Sequence, residues 1–94
     1  MVHTVRRKVK GGKLLQVQLE QDGSFVTLVT ITGDFFIHPE EGLNLLEKGL
    51  VGVPVQEDVV RLSKRVEVII KENGLTVLGF SPPDLAASIR EALS

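Results

Sequence analysis

Few residues in this chain have the type and spacing to do chemistry. His3 and His38 are the two histidines. Neither has a serine or a metal-ligand partner at useful spacing, and His38 reads as a strand-end surface residue. Glu40 and Glu41 follow Pro39 and read as a first helical turn, where the helix dipole favours acids, not as an acid/base pair. Ser63, Ser81 and Ser88 fall in helical or capping positions. The chain has no Cys. That excludes disulfides, thiolate metal sites, iron–sulfur ligation and cysteine nucleophiles. No phosphate-loop or dinucleotide fingerprint occurs. What remains is Gly11-Gly12-Lys13. Such a turn can present backbone amides and a lysine to a phosphate. The plainer reading is a turn with a solvated lysine, or a surface ion pair of Lys13 with Asp34 worth at most ~1 kcal/mol. No catalytic and no metal-ligating set is expected.

The elements that would position these residues can be read from hydrophobic period and turn signals. "KLLQVQLEQ" alternates, with Leu15, Val17 and Leu19 on one face, as a half-buried strand does. "QDGS" is a loop, and "FVTLVTIT" is a second β-branched run. Gly33-Asp34 reads as a two-residue hairpin leading into a short third strand, "FFIH". Pro39 then opens a helix with Leu43, Leu46 and Leu50 at helical spacing. Pro54 opens a longer one through Val55, Val59, Leu62, Val66 and Ile69, its stripe widened by Val60, Val68 and Ile70. Asn73-Gly74 stops it. Ser81, Pro82 and Asp84 have the shape of a capping box ahead of a last helix, with Leu85, Ala86, Ile89 and Leu93 inward. Three strands followed by three helices predict an α+β fold: a three-stranded antiparallel meander with helices packed on one face.

These turns also set registers. With "QDGS" as loop, Leu19 faces Val26 and Val17 faces Leu28; with Gly33-Asp34 as turn, Thr30 faces Ile37. The core face then holds Leu15, Val17, Leu19, Val26, Leu28, Phe35 and Ile37. The other face is mostly polar, yet it carries a row of Leu14, Ile31 and Phe36. Phe35 and Phe36 are adjacent, so one enters the core and the other does not. The exposed row is a candidate docking patch. The competing reading is that a terminal arm or the "LTVLGF" segment covers it.

Composition bounds the rest. The chain has 94 residues, 43% hydrophobic and 24% charged, as expected of one domain spanning 1–94. Its net charge is −1, but residues 1–19 carry +5 and residues 20–94 carry −6. Residues 1–10 form a basic N-terminal arm, which suits an acidic or polyanionic partner or a solvated terminus. The chain holds no Tyr or Trp to stack on bases, which argues against nucleic acid. No apolar run is long enough to span a membrane and no signal peptide is evident, so a cytoplasmic location is expected.

Three segments, "KGGKLLQVQL", "TITGDFFIHPEEGLNLLEKGLVG" and "GFSPPDLAASIREAL", resemble in this order the small accessory domain of lipoate–protein ligases. The resemblance covers about Lys10 to Leu93. Thr32 before Gly33-Asp34 is a mild departure from the family's pattern. The resemblance implies a fold similar to the iron–sulfur scaffold and sulfur-acceptor proteins, though their cysteine chemistry does not carry over. It implies an accessory subunit, inactive alone, that joins a separate catalytic subunit in a heterodimer. Together they would activate lipoate with ATP (and Mg) to lipoyl-AMP, then lipoylate lysines of carrier domains. No cofactor is expected on this chain alone. The family-motif residues are Gly33, Asp34, Phe35 and Phe36. Gly12 and Lys13 become candidates to approach ATP, and Leu14, Ile31 and Phe36 candidates for docking. Two other readings stay open: a binding module of scaffold-like fold recruiting another acyl- or sulfur-transfer enzyme, and an anionic-surface or nucleic-acid binder using the basic arm.

Overall fold

The computed structural model describes residues 2–93. Their architecture is α+β. A three-stranded antiparallel sheet, in order β1 (Val2–Lys8), β2 (Leu14–Asp22), β3 (Phe25–Gly33), is covered on one face by helices. The helices are α1 (Gly42–Leu50), α2 (Val59–Glu72) and α3 (Pro82–Ala92). A separate two-stranded ribbon joins β4 (Phe36–His38) to β5 (Thr76–Leu78).

Two of the expected strand partners change. The third strand of the sheet is the basic arm, not "FFIH". β1 has a weak hydropathy signal because Val5 is its one buried side chain, between half-buried His3 and Arg7. Its other residues are exposed, so alternation is hidden under charge. The expected hairpin at Gly33-Asp34 is not made either. Gly33 ends β3 opposite Leu15, the chain leaves the sheet, and β4 pairs with the "LTVLGF" segment.

The β2–β3 register also differs. Leu19 faces Val29 and Val17 faces Ile31. The loop is shorter than expected, with Asp22 opposite Phe25, and one bulge follows. Glu20 pairs Leu28 while Gln21 pairs Val26, so Thr27 is the extra residue. A bulge shifts the alternation by one. Val26, Val29 and Ile31 therefore all face inward, and Leu28 is exposed. Leu28 was expected in the core and Ile31 outside it; the bulge exchanges them.

Leu15, Val17, Leu19, Val26, Val29 and Ile31 meet Leu46, Leu50, Leu62, Val66, Leu85 and Ile89 in one core. Burying each such side chain contributes roughly 1.5–3 kcal/mol. α1 and α2 both start later than their prolines suggest. Pro39 begins a turn, its carbonyl accepting from the Gly42 amide at 2.8 Å. Residues 54–58 stay irregular until Asp58 caps α2, its carboxylate accepting from the Arg61 amide at 2.8 Å. Val60 and Val68 do not widen the buried stripe; both are exposed, and only Ile70 of the three packs on the core. α3 follows its sequence signal: Ser81 caps it, and Ser81 and Asp84 bond reciprocally. Arg90 of α3 donates to the carbonyls of Val55 and Glu57, which pins the α1–α2 connection.

The outer edge of β3 is capped in two places. Val26 exchanges backbone bonds with Val53 and Gly52 (2.9 and 2.8 Å), and Val55 bonds Ser24 at 2.9 Å. Farther along, the Glu47 carboxylate of α1 accepts from the Ile31 amide at 2.8 Å. Glu47→Ala leaves that amide without its acceptor and is expected to cost about 1–2 kcal/mol. Thermal unfolding followed by circular dichroism should show it, with Glu47→Gln, which keeps an acceptor oxygen, close to the parent.

Candidate functional site: the ribbon corner

The ribbon sets one aromatic in and one out. Ile37 of β4 is buried and pairs with half-buried Val77 of β5, while Phe36 pairs with Leu78 on the outer face. Phe36 is 58% and Leu78 61% exposed, so the outer face offers two large apolar side chains directly opposite each other. Phe35 turns the other way. It packs edge-on against Phe80, ring centroids 5.2 Å apart at 89°, an arrangement favoured by the ring quadrupoles.

Two close approaches fix this corner to the sheet. The Asp34 amide donates to the Leu14 carbonyl at 2.8 Å, and the Asp34 carboxylate accepts from the Leu14 amide at 3.3 Å. Gly33 lies so near that a Cβ on it would overlap the Leu14 carbonyl oxygen and sit 3.1 Å from the Leu15 Cα. Its φ of 144° also suits glycine alone. On the far side, Gly79 lets the chain cross Asp34-Phe35; a Cβ there would lie 2.8 Å from the Asp34 carbonyl oxygen.

A shallow open groove results, lined by Lys13, Gly33, Asp34, Phe35, Phe36, Leu78 and Gly79. Lys13 follows a short 3-10 turn, Lys10–Gly12, in which Gly11 and Gly12 both have positive φ. Of the two plain readings of Lys13, the ion pair with Asp34 does not form: among the described residues the ion pairs are Arg7–Glu91 at 3.6 Å and Arg61–Asp58 at 3.9 Å. Asp34 is turned to the Leu14 amide instead.

Of the residues singled out by sequence, Lys13, Gly33, Asp34, Phe35 and Phe36 line one groove, with Gly12 in the adjoining turn. The row Leu14, Ile31, Phe36 is not an exposed row. Ile31 is 1% exposed under the helices, because of the bulge, and Leu14 is half-buried. Leu78 was missed. The signal for it was the short alternating "LTVLGF", which contains a strand that flanks Phe36 instead of covering it. Among the described residues, no helix is long and apolar enough to cross a membrane, and no group of three or more His, Asp or Glu is placed to hold a metal ion.

No protein-family profile matches the chain. The chain is 30% identical over 92 residues to lipoate-protein ligase A subunit 2 of Thermoplasma acidophilum, covering 96% of this chain and 89% of that protein. Its fold superposes with a TM-score of 0.77 on a chain in the structure of an archaeal lipoylation system from Thermoplasma acidophilum, described as a bipartite lipoate protein ligase and its E2 lipoyl domain. That chain is 28% identical, and the match spans 96% of each. Extending across nearly the whole of both chains, these likenesses establish that the protein belongs to the subunit 2 family of lipoate–protein ligase A.

Proposed function

We propose that this chain is the accessory subunit of a two-chain lipoate–protein ligase, inactive alone and paired with a separate catalytic subunit. In this reading the pair carries out ATP-dependent activation. The lipoate carboxylate attacks the α-phosphorus of ATP, lipoyl-AMP forms and pyrophosphate leaves. The lipoyl group then passes to a carrier-domain lysine, releasing AMP. The observation that carries the reading, beside family membership, is the ribbon corner: an exposed Phe36–Leu78 pair and a lysine that follows a Gly-Gly turn, in one groove. The apolar pair suits docking. Lys13 suits a phosphate that gathers negative charge as pyrophosphate departs.

Asp34, the one carboxylate of the groove, is already engaged by the Leu14 amide. No second carboxylate lines the groove, and in this reading ATP, Mg and the acyl group are held by the catalytic subunit. The deciding experiment mixes the catalytic subunit, ATP and lipoate, with and without this chain, and follows pyrophosphate release. Release that depends on this chain supports the reading; equal release in both mixtures overturns it. Lys13→Ala should then slow lipoyl-AMP formation on the order of tenfold to a hundredfold, with the complex still forming. An unchanged rate removes Lys13 from the reaction.

A further inference from the structure

The two edges of the main sheet are finished differently. On β3, backbone from residues 52–55 bonds the Ser24 carbonyl and both backbone groups of Val26, and the Glu47 carboxylate accepts from the Ile31 amide. Among the described residues, nothing comparable occurs on β1. The Val9 amide donates to the Lys13 carbonyl at 2.8 Å, which makes Val9 and Lys13 a hydrogen-bonded pair. Alternation then puts Arg7, Val5 and His3 in bonded pairs with Leu15, Val17 and Leu19. The amides and carbonyls of Thr4, Arg6 and Lys8 point away from the sheet. Among the described residues, no backbone hydrogen bond reaches them.

The same three residues have exposed side chains on the uncovered face of the sheet. The strand has seven residues, with no proline and no bulge. A free edge of this kind is a template for another strand. Its charge selects the strand. Arg6, Arg7 and Lys8 are consecutive, Lys10 and Lys13 follow, and the first acid in the chain is Glu20. Arg7 is partnered by Glu91 from α3. Arg6 is held by Gln16, its Nε donating to Oε1 at 2.6 Å. That bond orients the guanidinium along the open face and leaves its terminal nitrogens for an acceptor.

We propose that the outer edge of β1 receives an extended acidic segment of another polypeptide as a fourth strand. Backbone bonds form to Thr4, Arg6 and Lys8, and carboxylates at alternate positions lie beside Arg6 and Lys8. This site is separate from the ribbon corner, and it stands or falls independently of the docking role given to Phe36.

The test uses the full chain and a fluorescein-labelled peptide of alternating Glu and Val, seven residues long, with a Gln-for-Glu peptide as control. Anisotropy should report binding of the Glu peptide that weakens with salt. The Gln peptide should bind at least about tenfold more weakly. Amide exchange at Thr4 and Arg6 should slow when the Glu peptide is bound. Thr4→Pro removes one outward amide at an edge, where proline is tolerated. It should abolish binding with the melting curve preserved; if it melts early, Arg6→Glu with Lys8→Glu is the substitute. Equal binding by Thr4→Pro in a folded chain, equal binding of the two peptides, or protection at the β3 edge instead would each overturn the proposal. So would sedimentation showing two copies of this chain already paired through β1.

Discussion

Gly33→Ala is expected to lower the melting temperature of this chain by roughly 12–24 °C, because it should cost about 3 kcal/mol and each kcal/mol moves a domain of this size by ~4–8 °C. Two effects add. An L residue is strained at φ 144°, and the new methyl would occupy the space of the Leu14 carbonyl oxygen. The overlap is with backbone held by two hydrogen bonds to Asp34, so it cannot be relieved by turning a side chain. Gly74→Ala is the control. Gly74 also has positive φ, 60°, but a Cβ there meets nothing within 4 Å. It should cost about 1 kcal/mol, the conformational term alone. Thermal melts of the two variants side by side decide the matter. If they coincide, the close approach of β3 to Leu14 is not what makes glycine necessary.

Phe36→Asp and Leu78→Asp should each weaken the complex with the catalytic subunit by about a hundredfold or more, enough to prevent co-purification at micromolar concentrations. A carboxylate placed in an apolar contact must lose its water without gaining a partner. The isolated chain should tolerate both changes, since Phe36 and Leu78 are more than half exposed. The cost to folding should stay within about 1 kcal/mol of strand propensity. Val60→Asp provides the contrast. Val60 is 75% exposed, but it stands on α2, away from the ribbon. Titration calorimetry should show its complex unchanged. If Val60→Asp disrupts binding and Phe36→Asp does not, docking belongs to the α2 face and the ribbon corner loses its role.

The sequence carried some elements of this fold openly and hid others. The cap at Ser81 is legible because its chemistry is local: within four residues the Ser81 hydroxyl accepts from the Asp84 amide, the Asp84 carboxylate accepts from the Ser81 amide, and Pro82 has no amide to satisfy. The separation of Phe35 from Phe36 is equally local, a matter of alternation. β1 was not legible as a strand. Its one buried side chain lies among five charged or polar residues, so its place depends on the edge that β2 offers. The bulge at Thr27 leaves no mark in "VTLVTIT", where every residue is β-branched or leucine. It is set by the tight turn at Gly23-Ser24 meeting a register fixed elsewhere. For that reason Ile31 was misplaced and the docking row with it. Five of the site residues still came together. Gly33 and Asp34 hold them to the Lys13 turn through Leu14, whatever partner β4 takes.

Thr27 has a consequence for how this chain and its relatives can differ in length. Outside the bulged pair Thr27-Leu28, losing one residue of β3 would turn every following side chain to the wrong face. At Thr27 the strand already carries one residue more than its partner. Removing it leaves Val26 and Val29 pointing inward and Leu28 outward, as they do now. A one-residue gap in this strand would therefore be silent within Thr27-Leu28, where losing either residue leaves Val26 and Val29 inward, and disruptive at the other positions. Alignments of the family should place their gaps in β3 there.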